Sequence, residues 1–392
     1  MSSPAAVGLN DRVGNVCEVV QKHAAEMDAA AEFPTAALTE LRRQGLLGLL
    51  APRHHGGLGG TLDDMLEVTV ALGRVDLSVA MIFAMHSQQV AAIVAHAAQP
   101  FGDDLLAQLG DEGLYLASVT TEAGKGGHLL SAESQLGDDG DSVVLDRFAP
   151  IVTGGAHADG FLVSVRSPRA QSEHEVSLVY AHRDQLDIVV SGAWNPLGMR
   201  ASHSVALQLT GRIPAGQVIG AHGGFRRIAV TCFAPLAHLG WAAAWLGAAA
   251  GAMSRVVSLL RAPAERGRLN LESELLLARL SRARQRLETV HALTRHTAAA
   301  VSGAMDGGAD LSRPRYQLLI NSLKITASEE CYRVIEDLID VVGLKHGYLK
   351  DSPTGLERSL RDLRSAALNF SNDRLHLADG RLALLDPEVG FV

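Results

Sequence analysis

Apolar positions recur at helical spacing from about Asn10 to Leu109, at strand spacing from about Gly113 to Pro214, and at helical spacing again after Gly223. In the first stretch Leu38, Leu41 and Leu46 share one helix face, with Thr35 as the expected cap. Thr61, followed by Asp63 and Asp64, marks another helix start, because a side-chain oxygen and negative charge both satisfy the exposed N–H groups there. The turn His55-Gly56-Gly57-Leu58-Gly59-Gly60 separates the two. The middle stretch carries short runs such as 142–145, 160–165 and 176–180, broken by Gly, Asp and Ser, which predict a small antiparallel barrel or sandwich. In the last stretch Leu276, Leu280, Ala283, Leu287 and Val290, and then Ile320, Leu323, Ala327, Val334, Leu338 and Val341, form two stripes suited to bundle packing. The expected architecture is multi-domain α+β. It comprises an N-terminal α-helical domain over 1–112, a central antiparallel β domain over 113–222 and a C-terminal four-helix bundle over 223–392.

A chain of 392 residues exceeds what one hydrophobic core usually serves, and its 47% hydrophobic content supplies enough apolar side chains for several. A net charge of -8, with both signs mixed along the chain, offers no basic stripe for a phosphate backbone, so nucleic acid is not an expected partner. The apolar run 236–253 is rich in Ala and Gly and contains His238; it reads as a buried helix rather than a membrane span. Cys17, Cys232 and Cys331 are scattered without disulfide or metal-ligand spacing, and the N-terminus lacks the features of a secretory signal. The expected location is the cytoplasm, with no metal site.

Several short motifs occur in a telling order. Phe33-Pro34, Gly45-Leu46-Leu47-Gly48 and His55-Gly56-Gly57-Leu58-Gly59 come first, then Thr120-Thr121-Glu122-Ala123-Gly124, Val152-Thr153-Gly154-Gly155 with Ala158-Asp159, and Leu197-Gly198-Met199-Arg200-Ala201-Ser202. Ile213-Pro214 to Ile219-Gly220, Val342-Gly343-Leu344-Lys345-His346-Gly347-Tyr348, Leu356-Glu357-Arg358 and Leu360-Arg361-Asp362 complete the series. In this order, from about Phe33 to Leu385, the chain resembles the acyl-CoA dehydrogenase superfamily. The resemblance implies a flavoprotein oxidoreductase that binds FAD, and it implies a homo-oligomer, most simply a tetramer, with flavin sites paired across subunits.

By the same resemblance Ser118, Thr120, Thr121 and Thr153 lie along the flavin ring, and Gly343 and Gly347 allow close approach to its adenosine end. Arg200 and Ser202 belong to the turn that orders the wall near the flavin and are the expected substrate-side residues. The family's R-x-x-F-G segment has no counterpart phenylalanine in Pro263-Ala264-Glu265-Arg266-Gly267, so Arg261 or Arg266 is left as the pyrophosphate cation. His157 can donate to the flavin or satisfy a backbone carbonyl.

The largest departure concerns the catalytic base. The family's most frequent glutamate falls eight residues past the aspartate of Arg361-Asp362, and here that position is Phe370. The alternative glutamate position on the first bundle helix holds Ala237 and His238. His238 and Asp373 are the remaining candidates for proton transfer. Pro235, Ala237 and His238 also replace the residues that hold the coenzyme A nucleotide, which widens the expected substrates to carrier-protein thioesters or compounds without coenzyme A. Two enzyme readings follow. One is oxidation of an acyl thioester with a relocated base, served by an electron-transfer partner; the other is a monooxygenase using reduced flavin from a reductase and oxygen. A third reading, an inactive flavin-binding scaffold, carries no chemistry of its own.

Overall fold

The helical spacing at the start of the chain becomes α1 (Leu9–Ala30), α2 (Thr35–Arg43), α3 (Leu62–Gly73), α4 (Leu77–His96) and α5 (Phe101–Asp111) in the computed structural model, which describes residues 8–124, 128–263 and 270–392. α1 buries Val13, Val16, Val20, Ala24 and Met27, the stripe a one-sided helix needs. Thr35 does not cap α2. Pro34 holds the cap position and Thr35 is already helical. At the start of α3 the expectation holds: the Asp64 N–H donates to Thr61 Oγ1 at 3.2 Å and the Thr61 N–H donates to Asp64 Oδ2 at 2.7 Å, a reciprocal cap.

The strands are β1 (Leu116–Val119), β2 (Gly137–Asp139), β3 (Ser142–Val152), β4 (Gly160–Arg166), β5 (Val176–His182), β6 (Leu186–Ser191), β7 (Val205–Pro214) and β8 (Val218–Ile219). They form two four-stranded sheets, ordered β1-β4-β5-β8 and β2-β3-β7-β6. The expected all-antiparallel arrangement is amended at one pair. β1 runs parallel to β4, with Leu116 opposite Gly160, because the connection over 120–159 is long enough for the crossover that parallel pairing requires. β4 and β5 are buried along nearly their whole length, whereas β3 alternates, with Val143, Leu145, Arg147 and Ala149 inward.

Helices resume with α6 (Phe225–Ile228), a π turn over Ala229–Phe233, and α7 (Ala234–Arg261), α8 (Glu274–Gly307), α9 (Pro314–Gly347), α10 (Leu356–Leu363) and α11 (Asn372–Ala383). Where the sequence predicts four bundle helices, the described residues after the π turn form three long helices followed by two short ones. α8 packs along α9, and α10 and α11 also pack on α9. Two helical segments are apolar and long enough to cross a membrane, Leu77–His96 and Phe225–Arg261, and 83% and 78% of their apolar windows are buried inside the protein.

Packing divides the chain into two units, each discontinuous in sequence. One comprises Met1–Val68, Ile82–Asn195 and Ala201–Ala234; the other comprises Thr69–Met81, Pro196–Arg200 and Pro235–Val392. They are called the mixed unit and the helical unit below.

Candidate active site

In the mixed unit, Ser118 is buried within β1, and the chain leaves the strand after Val119 and runs through Thr120 and Thr121 to Glu122. What holds this segment is a buried ion pair. Arg147 Nη1 lies 2.7 Å from Glu122 Oε1, with the two side chains only 1% and 6% exposed. Arg147 Nη2 also donates to the Thr121 carbonyl at 2.8 Å and Nη1 to the Phe148 carbonyl at 2.9 Å. Glu122 accepts from the N–H groups of Glu133 and Ser134 at 2.8 and 3.0 Å. Thr121 Oγ1 donates to the Ile151 carbonyl at 2.9 Å, which ties the segment to the end of β3. Such additional bonds offset much of the cost of burying both charges, although the Arg147 Nε has no partner among the described residues.

Thr153 at the end of β3 enters a chain of hydroxyls: its Oγ1 lies 3.0 Å from Ser204 Oγ, which lies 2.9 Å from Ser202 Oγ. The Ser202 carbonyl accepts from the Gly154 N–H at 3.0 Å. Gly154 sits at φ 61°, and a Cβ there would lie 2.4 Å from the Tyr115 hydroxyl, so both conformation and space call for glycine. His157 stacks on Phe33, with ring centroids 4.2 Å apart at 8°, and meets the edge of His203 at 5.4 Å. Burial pushes the pKa of both histidines down, that of His157 also through the nearby His203 and Arg183. His203 adopts φ 43°, and among the described residues its buried Nδ1 has no hydrogen-bond partner. Asp159 accepts from Arg42 at 2.8 Å and from the Tyr115 N–H at 2.7 Å, a structural anchor.

In the helical unit, the Leu197-to-Arg200 turn packs on α10. Gly198 lies so close that a Cβ would come within 2.1 Å of the Arg361 carbonyl oxygen. The Met199 N–H donates to Asp362 Oδ1 at 2.6 Å, while Arg361 binds Glu357 at 2.7 Å and donates to the Leu197 carbonyl at 3.0 Å. Arg200 donates to the Pro196 carbonyl at 3.2 Å. Gly343 breaks α9 with φ 68°, and a Cβ there would meet nothing, whereas Gly347 packs against Ile339. Arg266 lies outside the described residues.

Around Phe370 the helical unit assembles an aromatic and cationic cluster. The ring centroid of Phe370 lies 6.1 Å from that of His238, and that of Trp241 lies 5.7 Å from His238 on the other side. His238 is buried, and among the described residues its Nδ1 has no hydrogen-bond partner. A buried ring nitrogen without a partner is a polar group that the surrounding fold leaves unsatisfied. Burial first, and then the Lys324 cation, push its pKa down to about 3. Asp373 is exposed in the first turn of α11, where negative charge suits the helix dipole.

Among the predicted residues, Thr121 and Thr153 are joined to the end of β3, Thr153 and Ser202 share one hydroxyl chain, and Phe370 and His238 are neighbours. Arg147, Ser204, His203 and Lys324 were not singled out by the sequence. Arg147 was detectable as the one charge on the inward face of the Val143, Leu145, Ala149 alternation.

The N-terminal domain model of the acyl-CoA dehydrogenases matches residues 9–100 and the C-terminal domain model matches residues 223–369. Mitochondrial isobutyryl-CoA dehydrogenase of Dictyostelium discoideum is 25% identical over 350 residues, covering 88% of this chain and 81% of that protein. Among solved structures, dibenzothiophene monooxygenase of Paenibacillus superposes with TM-score 0.84 at 20% identity, covering 96% of this chain and 97% of that one. Butyryl-CoA dehydrogenase of Megasphaera elsdenii superposes with TM-score 0.83 at 18% identity, covering 98% and 100%. The matched domains define the class, a flavin-dependent oxidoreductase. The chain belongs to the acyl-CoA dehydrogenase superfamily. A flavin is the cofactor that goes with this membership, and the residues present fit one. The orphaned Nδ1 of His203 and the hydroxyls of Thr153 and Ser204 are the donors and acceptors a polar heterocycle takes up.

Proposed function

We propose that the chain is an FAD-dependent oxidoreductase of an acyl thioester, carried by coenzyme A or a carrier protein, in which His238 stands in for the family's glutamate as proton acceptor. The observation that carries this reading is the buried Nδ1 of His238, which has no hydrogen-bond partner among the described residues, on a ring whose centroid lies 6.1 Å from that of Phe370 at the usual base position. The acyl-CoA names of the curated relatives support a thioester. FAD, when bound, supplies the two-electron acceptor. Ser118, Thr120, Thr121 and Thr153 hold the flavin edge; Gly343, Gly347 and Arg266 serve its adenosine and pyrophosphate end; Arg200 and Ser202 order the substrate side. A proton accepted at His238 is held with a pKa of about 3, so its transfer from a thioester α-carbon is inefficient. Straight-chain acyl-CoA turnover is therefore expected to be weak.

That same low basicity favours a second reading, oxygenation of a substrate by reduced flavin and oxygen, which needs no α-proton acceptor and takes its electrons from a reductase. The two readings separate in one experiment: anaerobic incubation of the FAD-loaded protein with acyl-CoA and acyl-carrier thioesters while flavin absorbance is followed. Bleaching by thioester alone supports the first reading. Bleaching only by an NAD(P)H-linked reductase, with product appearing when oxygen is admitted, overturns it in favour of the second.

A further inference from the structure

Lys324 is a lysine with no exposed surface, in the middle of α9. Among the described residues it has no carboxylate within ion-pair distance. Its ammonium donates to the Ala366 carbonyl at 3.2 Å, the Phe370 carbonyl at 3.0 Å and Asn372 Oδ1 at 2.7 Å, and it lies 5.7 Å from the centroid of the Trp245 ring. All three hydrogen-bond acceptors belong to one stretch of chain, 366–372, the turn between α10 and α11. Asn372 is itself aimed at the cation, since its Nδ2 donates to Ser328 Oγ at 3.1 Å and to Glu329 Oε1 at 3.2 Å.

Two features of this arrangement disfavour the fold. A buried charge without an opposite partner is expensive. Phe370 also sits at φ 51°, a left-handed conformation that a bulky residue adopts only when its surroundings impose it. Each feature accounts for the other: the ammonium satisfies the carbonyl of the strained residue, and the turn supplies the acceptors that a buried ammonium needs. We propose that Lys324 is the positioning residue of the candidate active site, its charge holding the 366–372 turn so that Phe370 stands beside His238.

This inference rests on the reading that position 370 and His238 face the chemistry, but the geometry it concerns can be measured without turnover. The charged and titratable groups around the ammonium are His238 on α7, neutral as described, and Glu329 on its own helix, which favours the charged form. From the turn it meets the two carbonyls and the Asn372 amide. Burial outweighs Glu329 and brings the pKa of Lys324 down to about 8. Neutral Lys324 is a weaker donor to three acceptors, so the turn loosens as pH rises through that value.

The test is 19F NMR of the full-length, FAD-loaded protein labelled with 4-fluorophenylalanine, the Phe370 resonance being the one lost in Phe370→Leu. The expected result is a shift of that resonance with a midpoint near pH 8 in the wild type. In Lys324→Met the resonance should be displaced at all pH values and should not titrate. In Lys324→Arg, which stays charged, it should remain near the wild-type low-pH position up to pH 9.5. Should Lys324→Met fail to fold, the wild-type titration and Lys324→Arg still decide. A wild-type Phe370 resonance that is insensitive to pH between 6.5 and 9.5, one that titrates in Lys324→Arg as it does in the wild type, or one unmoved by Lys324→Met would overturn the proposal. Because no turnover is read, that failure is distinct from a failure of the thioester reading.

Discussion

Replacing Glu122 by Gln removes the charge that faces Arg147 and leaves a guanidinium that is 1% exposed without its counter-ion. The bonds to the Thr121 and Phe148 carbonyls remain, and the Glu133 carboxylate, which makes no ion pair with Arg147 among the described residues, offsets the charge only in part. Breaking one side of a buried pair typically costs about 3–5 kcal/mol, and the low exposure of both partners places this pair toward the upper part of that range. Arg147→Met should cost less, about 3 kcal/mol, because Glu122 keeps the N–H groups of Glu133 and Ser134. The double variant Glu122→Gln/Arg147→Met should recover part of the loss, since no buried charge is then unpaired. Urea unfolding of the FAD-free protein at neutral pH measures these differences. FAD titration measures a second consequence: with Arg147→Met the Thr121 carbonyl loses its donor, the 120–122 segment loosens, and the flavin dissociation constant should rise about tenfold for each 1.4 kcal/mol of lost preorganisation. A loss below about 1 kcal/mol in both single variants, with unchanged flavin affinity, would refute the idea that this pair organises the segment.

Three further outcomes are expected. His86, fully buried in α4, accepts from the Leu116 N–H at 3.0 Å and lies 2.7 Å from the Leu47 carbonyl; burial pushes its pKa down to about 4. Its folded pKa lies below the unfolded value, so the stability it contributes is complete at neutral pH and about 3 kcal/mol is lost as pH falls from about 6.5 toward 4; a urea midpoint no more acid-sensitive than that of His86→Gln would contradict this. Gly198→Ala must displace the Arg361 carbonyl, 2.1 Å from the new Cβ, and should lower stability by more than about 2 kcal/mol in thermal unfolding. His238→Ala should slow thioester-dependent flavin bleaching by about a hundredfold with FAD binding intact; an unchanged rate would remove His238 from proton transfer.

Much of the architecture was legible because it is written in short-range periodicity. The stripes on α8 and α9 and the runs that became β3, β4 and β5 need only neighbours in sequence to be read. The parallel pairing of β1 with β4 was not legible, since a four-residue strand carries no sign of which distant strand it joins. Position 370 was singled out by its offset from Arg361-Asp362, but the cluster around it was not legible. Lys324 follows Leu323 in a stripe where a lysine reads as the solvent edge, and only the fold of 366–372 over α9 turns it inward. Arg147 and Glu122 likewise become partners through the return of β3, and Thr35 lost its capping role because Pro34, with its fixed φ, already takes that position.

The helical unit is stitched from three stretches of chain, and this makes it indivisible in a way its sequence map conceals. Asp362, buried on α10, depends on the Met199 N–H, and Arg358 lies 3.8 Å from Asp76 and donates to the Val75 carbonyl at 3.2 Å. A C-terminal fragment starting at the helical boundary would leave that aspartate and arginine without those partners. During synthesis these helices can complete their own packing only after residues 69–81 and 196–200 have already emerged and remain free to be recruited. Recombination that exchanges the C-terminal third between relatives must therefore carry residues 196–200 and 69–81 along with it to keep these contacts.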